Sequence, residues 1–445
     1  MPLHNDEPTL IDQLNRVTLV EEVGEAVATC EPPQVFGIHG DWGLGKTSFL
    51  HQLQWYLTGE CPQQTQDELT EAETTKVIPK GQHQDHVTVV WFEAWRYQHE
   101  QVPVVALLQE IRSQLAWYVT LGQQAKKMFE VTTRSALLSL EDLTKKIGIQ
   151  ASKIQEVGDK WERDHLATAL PSHTIREHLQ EAIGNLLPRS EKKKARLVVL
   201  IDDLDRCEAE SAYKLLEGLK IYLTLRNCVF VLGLNQKIIE DAIRKNMPGE
   251  RQDLRAAAYL EKLCQNFWRL PLVADPKALL YQWLPDDIIK EWITAAIGKS
   301  QCLPPNPRRL KGLANLLQRF IVRLPKKVGA KNDPAMIQQA KYTLIVAYVY
   351  QFHHDLFLRW ESNPELYHHI RDWVRTYETK LKFLEHLELP YKIETDESTP
   401  TPQYKISSAY PDPTESNIFW IQPLLHELGD EVKPEDFLRY LRGKP

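Results

Sequence analysis

Gly40-Asp41-Trp42-Gly43-Leu44-Gly45-Lys46-Thr47 constrains the fold more than any other stretch of the chain. It fits the spacing G-x-x-x-x-G-K-[ST], in which glycines let the backbone turn tightly and aim successive N–H groups inward. Such a loop belongs between a strand and a helix, because the helix N-terminus adds its own N–H groups and positive dipole. The flanks meet that demand. Gln34–Ile38 reads as a short buried strand, and Ser48–Leu53 as the start of a helix. The other reading, a glycine-rich turn with an incidental lysine, leaves that context unexplained. A loop of this kind surrounds phosphate. Gly40, Asp41, Trp42, Gly43, Leu44, Gly45, Lys46, Thr47 and Ser48 are therefore candidate binding residues, with Lys46 reaching the β- and γ-phosphates and Thr47 holding Mg²⁺.

A phosphate loop needs a parallel sheet around it, and the chain supplies one. Val17–Thr29 reads as an amphipathic helix leading into the first strand. His86–Phe92 reads as a second strand, Arg196–Ile201 as a third, Asn227–Leu234 as a fourth and Phe267–Leu270 as a short fifth. The third and fourth are nearly continuous apolar runs, the mark of strands covered by helices on both faces. Helices are expected at Val102–Tyr118, Thr174–Leu187 and Ala209–Tyr222. Strands alternating with helices give an α/β core with a parallel sheet.

At 445 residues the chain is too long for one compact core. Residues 1–119 and 173–273 read as two parts of the α/β core, and the Lys-, Glu- and Gln-rich residues 120–172 as a helical insertion. Residues 274–390 read as a helical domain. Residues 391–445 read as loop, especially Glu394–Asn417, followed by short helices at Phe419–Leu428 and Pro434–Leu441. The polar stretch Gly59–Asp85 reads as loop.

The third strand delivers Asp202-Asp203-Leu204-Asp205-Arg206 at its carboxyl end, where ligands bind in open α/β sheets. Asp202 is placed to hold Mg²⁺, and Asp203 to orient or deprotonate an attacking water. Asp205 can share that role or tie down the loop. The second strand ends in Glu93. If it lies between the phosphate-loop strand and the Asp202 strand, its end faces the γ-phosphate, and Glu93 is a second candidate for polarising water. Equally, Glu93 is a surface carboxylate paired with Arg96. Trp95 beside it reads as a packing residue. Asn235, after the fourth strand, can sense the γ-phosphate or serve as a helix N-cap. Gln301–Lys331 holds eight Lys or Arg and no Asp or Glu. Arg308 and Arg309, at the start of a helix there, can fold back onto the phosphates, lie solvated, or contact a nucleic-acid backbone.

Composition narrows the setting. A net charge of −6 gives no global signal for nucleic acid. The six cysteines are scattered without a C-x-x-C pair, as expected of reduced thiols in a cytoplasmic protein rather than a disulfide frame or zinc site. The polar N-terminus does not read as a secretory signal, and no apolar run is long enough to span a bilayer. Tyr342–Tyr350, the longest candidate, reads as a buried helix. The pairs His353-His354 and His368-His369 read as exposed helix histidines.

Taken in order, these motifs resemble the KAP family of P-loop NTPases, which joins animal membrane scaffold proteins to bacterial proteins that include a plasmid-borne phage-exclusion protein. Gly40–Ser48 resembles the family's phosphate loop, with its Trp-Gly inside. Trp91-Phe92-Glu93-Ala94-Trp95-Arg96-Tyr97 resembles its Phe-Asn-Ala-Trp segment, with Glu93 in place of the common Asn. Leu200–Cys207 resembles its Mg²⁺-strand motif, and Tyr259–Gln265 and Asn306–Lys311 resemble two further segments. The resemblance covers residues from about 5 to 325. It implies an ATP- and Mg²⁺-binding core of the additional-strand class, acting as an ATPase and as a nucleotide-dependent, often oligomeric switch in signalling or antiviral defence. It also implies a helical insertion, which in many members spans a membrane; no such span is read here. Nucleic acid is not the favoured partner, and the resemblance names no protein partner.

Overall fold

The computed structural model describes residues 6–60, 78–100, 194–222, 225–246, 252–264, 266–284, 287–297, 303–321, 334–352, 354–363, 391–394 and 403–406, and the isolated positions 106, 107, 110, 111, 113, 114, 180 and 187. The chain divides into two compact units. One is Pro8–Pro271; the other joins Met1–Glu7 to Leu272–Pro445.

In chain order the first unit contains α1 (Val17–Thr29), β1 (Gln34–His39), α2 (Lys46–Thr58), β2 (Val87–Glu93), β3 (Arg196–Asp202), α3 (Ala209–Tyr222), β4 (Cys228–Leu234), α4 (Gln236–Asn246), α5 (Gln252–Leu263) and β5 (Asn266–Arg269). Single 3-10 turns follow β2 at Ala94–Tyr97 and β3 at Leu204–Arg206. The five strands form one parallel sheet in the order β2-β3-β4-β1-β5.

Period-two alternation assigns the two sheet faces. Leu197, Val199 and Ile201 of β3, with Phe230 and Leu232 of β4, pack against Leu215, Leu216, Leu219, Ile239, Ile243, Leu260 and Leu263 from α3, α4 and α5. Val198, Leu200, Val229 and Val231 face the other way, onto Val20, Val23 and Val27 of α1 and Phe49, Leu50 and Leu53 of α2. Every residue of β3 and β4 is buried. Each fully buried aliphatic side chain contributes about 1.5–3 kcal/mol, so the two central strands hold the fold together. Both carry their chemistry at the carboxyl end.

That strand order corrects one expectation. The strand between the phosphate-loop strand β1 and the Asp202 strand β3 is β4. β2 is an edge strand on the far side of β3, where Glu93 lies beside Asp202 in register. Its outer edge is partly satisfied by the Gln114 side-chain amide, which donates to Trp91 O at 2.7 Å and accepts from Trp91 N–H at 2.8 Å. The expected helix Val102–Tyr118 is helical at each position described within it. The expected insertion 120–172 lies outside the described residues, as does all of Thr174–Leu187 except positions 180 and 187.

In the second unit, α6 (Pro276–Trp283), α7 (Asp287–Ile297), α8 (Pro307–Ile321), α9 (Pro334–Phe352) and α10 (His354–Ser362) follow one another, with an antiparallel pair β6 (Tyr391–Glu394) and β7 (Gln403–Ile406). Asp275 caps α6 through Ala278 N–H at 2.9 Å, and Asn306 caps α8 through Arg309 N–H at 3.2 Å. α9 carries the buried run Leu344–Val349 and packs on α7 and α8. No helix among the described residues is long and apolar enough to cross a membrane. β7 falls inside Glu394–Asn417, the stretch expected to be loop. The short helices expected at Phe419–Leu428 and Pro434–Leu441 lie outside the described residues.

Candidate nucleotide site

β1 ends at His39, and the chain turns through Gly40–Gly45 directly into α2. Gly43 and Gly45 adopt φ of +84° and +82°, a region costly for any residue with a Cβ, so the loop demands glycine there. The Gly40 N–H is anchored to Leu234 O of β4 at 3.2 Å. Lys46 opens α2 but turns its side chain back over the loop. Its Nζ donates to Gly40 O at 2.8 Å and pairs with Asp205 at 3.0 Å, with both side chains buried.

Asp202 is the last residue of β3 and is fully buried. Burial, reinforced by the neighbouring charge of Asp203, pushes its carboxyl up to about 7; the Thr47 hydroxyl lies against it and opposes the shift. Neither Asp202 oxygen makes a hydrogen bond of good geometry with a described residue. Room for that carboxylate comes from Gly233 of β4, where a Cβ would stand 3.0 Å from Asp202 Oδ1. A buried carboxylate without a full set of partners, beside a hydroxyl, is a hard-oxygen pair suited to Mg²⁺. Mg²⁺ takes one or two protein oxygens and draws the rest from phosphate and water, so such a pair suffices. Among the described residues no cluster of three or more His, Cys, Asp or Glu forms a separate metal site.

Asp203 sits at φ +58°, a left-handed conformation that Asp tolerates better than most residues. Its carboxylate pairs with Arg206 at 3.0 Å, across the 3-10 turn. Burial raises its pKa; Arg206 opposes the shift, and the charges of Asp205 and Glu93 add to it. Glu93 pairs with Arg96. Trp95 and Trp42 are each 49% exposed, so Trp95 is not the packing residue expected.

Asn235 follows β4 and serves as the helix N-cap, one of the two roles read from the sequence. Its Oδ1 accepts from the N–H groups of Lys237 and Ile238, capping α4, while its Nδ2 donates to Asp41 Oδ1 of the loop at 3.0 Å. Because β4 is the intervening strand, Asn235 holds the position first argued for Glu93. Ser48 accepts from Thr9 N–H at 3.3 Å, which ties the loop's helix to the N-terminal arm. Arg308 and Arg309 open α8 in the other unit, where Arg308 pairs with Asp6 at 2.6 Å.

Asp205, expected to share the role of Asp203 or to tie down the loop, is the partner of Lys46. Two residues that the sequence did not mark stand against the site. His39 accepts the Gln236 N–H at Nδ1, 2.9 Å away, and burial lowers its pKa. Arg16 donates to Leu44 O inside the loop at 2.7 Å. Neither His39 nor Arg16 belongs to a spacing that would have marked it.

Comparison with known families agrees with this geometry. The KAP family P-loop domain matches residues 10–277, more than half of the 445-residue chain. The chain belongs to the KAP family of P-loop NTPases. That membership points to nucleotide binding and hydrolysis. No curated protein matches the sequence significantly.

Proposed function

We propose that this KAP protein is a Mg²⁺-dependent ATPase whose nucleotide state switches its conformation or assembly. The observation that carries the reading is that the Thr47 hydroxyl lies against Asp202 at the end of β3 while Lys46, paired with Asp205, turns back over a loop with two left-handed glycines. Gly43, Gly45, Lys46, Thr47 and Ser48 bind the phosphates. The Thr47 hydroxyl and the Asp202 carboxylate hold Mg²⁺, which when bound neutralises phosphate charge. Asp203 orients the attacking water and accepts its proton, and its raised pKa suits that task. Asn235, joined to Asp41, reads the γ-phosphate side of the loop. Catalysis of this kind is mostly positioning and charge neutralisation. Arg308 or Arg309, at the start of α8, is the remaining candidate for sensing the γ-phosphate.

The test is turnover. Asp203→Asn should leave ATP affinity nearly intact and slow hydrolysis about a hundredfold or more, as expected when a positioned base is lost. Normal turnover in that variant together with loss in Glu93→Gln would move the base to Glu93. No turnover in the wild type, despite tight ATP binding, would make the protein a nucleotide-binding scaffold instead.

A further inference from the structure

Arg16 touches the phosphate loop from outside and has no part in the chemistry above. It ends the arm that precedes α1, where the Asp12 carboxylate accepts its backbone N–H at 2.8 Å. The residue is only 3% exposed. Nη1 donates to Leu44 O and Nη2 to Pro271 O, each at 2.7 Å. Burial lowers its pKa to about 10, with Asp12 opposing the shift. Sequestering a guanidinium costs more than an aliphatic filler of similar volume would. What the arginine supplies in return is two charge-assisted bonds of fixed geometry, which no aliphatic side chain can make.

Each bond has a structural consequence. The Leu44–Gly45 peptide is trans, so its C=O and N–H lie in the peptide plane and point in opposite directions. A guanidinium holding Leu44 O therefore turns the Gly45 N–H away from Arg16. Gly45 alone does not fix that direction, because glycine is conformationally permissive. The second bond reaches Pro271, the last residue of the α/β unit, from which the chain continues at Leu272 into the helical unit.

We propose that Arg16 is a positioning residue that aims the Gly45 N–H at the bound phosphate and ties the phosphate loop to the point where the chain leaves the core. The inference rests on the nucleotide reading and adds a route by which occupancy is felt at the exit strand. A shift of Leu44 on phosphate binding pulls on the guanidinium and so on the Pro271 carbonyl. The neighbouring Leu270 N–H is fixed to His39 O of β1 at 2.8 Å, which makes the exit rigid enough to respond.

Calorimetry with magnesium pyrophosphate probes the first half without any turnover. Arg16→Ala should weaken binding about tenfold or more, the usual loss for a charge-assisted bond, and Arg16→Lys should recover part of it. Low-millimolar guanidinium ion should restore affinity to Arg16→Ala but leave the wild type unchanged. Amide exchange at Leu270, Leu272 and Val273 probes the second half. Saturating MgATP should change it in the wild type and not in Arg16→Ala. If Arg16→Ala does not fold, Arg16→Lys carries both comparisons. Wild-type affinity in a folded Arg16→Ala overturns the proposal, as does equal weakening in both variants with no guanidinium rescue. A wild type that takes up neither pyrophosphate nor ATP sinks the nucleotide reading itself, and this inference with it.

Discussion

The two ends of the parallel sheet solve the same problem with opposite outcomes. Each buries an arginine that grips two backbone carbonyls. At the amino end, Arg196 of β3 donates to Val27 O at 3.1 Å and Cys30 O at 2.8 Å, closing the loop between α1 and β1. At the carboxyl end, Arg16 donates to Leu44 and Pro271. The surroundings then differ. Near the amino end, His83 meets Glu25 at 2.9 Å and Tyr56 donates to the same carboxylate at 2.8 Å. At the carboxyl end, Asp202 is buried without a full set of bonds, and Asp203 and two glycines take left-handed backbone conformations. What sets the carboxyl end apart is a buried carboxylate short of partners beside left-handed backbone, the combination that ligand sites tend to hold.

The largest expected effect separates the ends directly. Arg196→Ala strands the Val27 and Cys30 carbonyls and should cost about 2–5 kcal/mol of unfolding free energy, read by denaturant titration. Nucleotide affinity of the folded variant should stay within about twofold of the wild type. A large loss of affinity would mean that the amino end is not purely structural.

His51 of α2, buried against the Trp91 ring at 4.5 Å, gives the next effect. Burial lowers its pKa from 6.5 to about 4. Between those values the unfolded chain binds the extra proton and the folded one does not. The stability this contributes is therefore present above pH 6.5 and is lost as pH falls toward 4, up to about 3 kcal/mol at 1.36 kcal/mol per unit. His51→Gln should flatten that part of the stability–pH curve. An unchanged slope would assign the acid sensitivity to other groups.

The smallest effect runs the other way. Lys46 pairs with Asp205, and phosphate needs the same ammonium. Asp205→Asn should tighten nucleotide binding about tenfold, in the range of ordinary coupling energies, while lowering thermal stability. Weaker binding in a folded Asp205→Asn would show that Asp205 supports the phosphate site rather than competing with it.

How much of this was legible in the sequence follows from what each residue needs. The phosphate loop, the buried strands and the Asp202 motif are local: spacing and apolar runs suffice, and α1 and α3 keep their expected bounds. Strand order is not local. β2 and β4 are both largely apolar runs, one ending in Glu93 and the other followed by Asn235, so these two could not be ranked until pairing put β4 beside β1. Arg16 was silent for the same reason, since the carbonyl it holds at Pro271 lies 255 residues away. Trp95 reads as a packing residue, but in the 3-10 turn after β2 it is exposed.

The central claim is that the carboxyl end of the sheet binds nucleotide through Lys46. Calorimetric titration of MgATP into the wild type and into Lys46→Ala tests it most directly. One saturable, Mg²⁺-dependent site in the wild type is expected, with no measurable binding once the ammonium is removed. Equal binding by the two proteins would contradict the account, because the phosphates would then lie elsewhere.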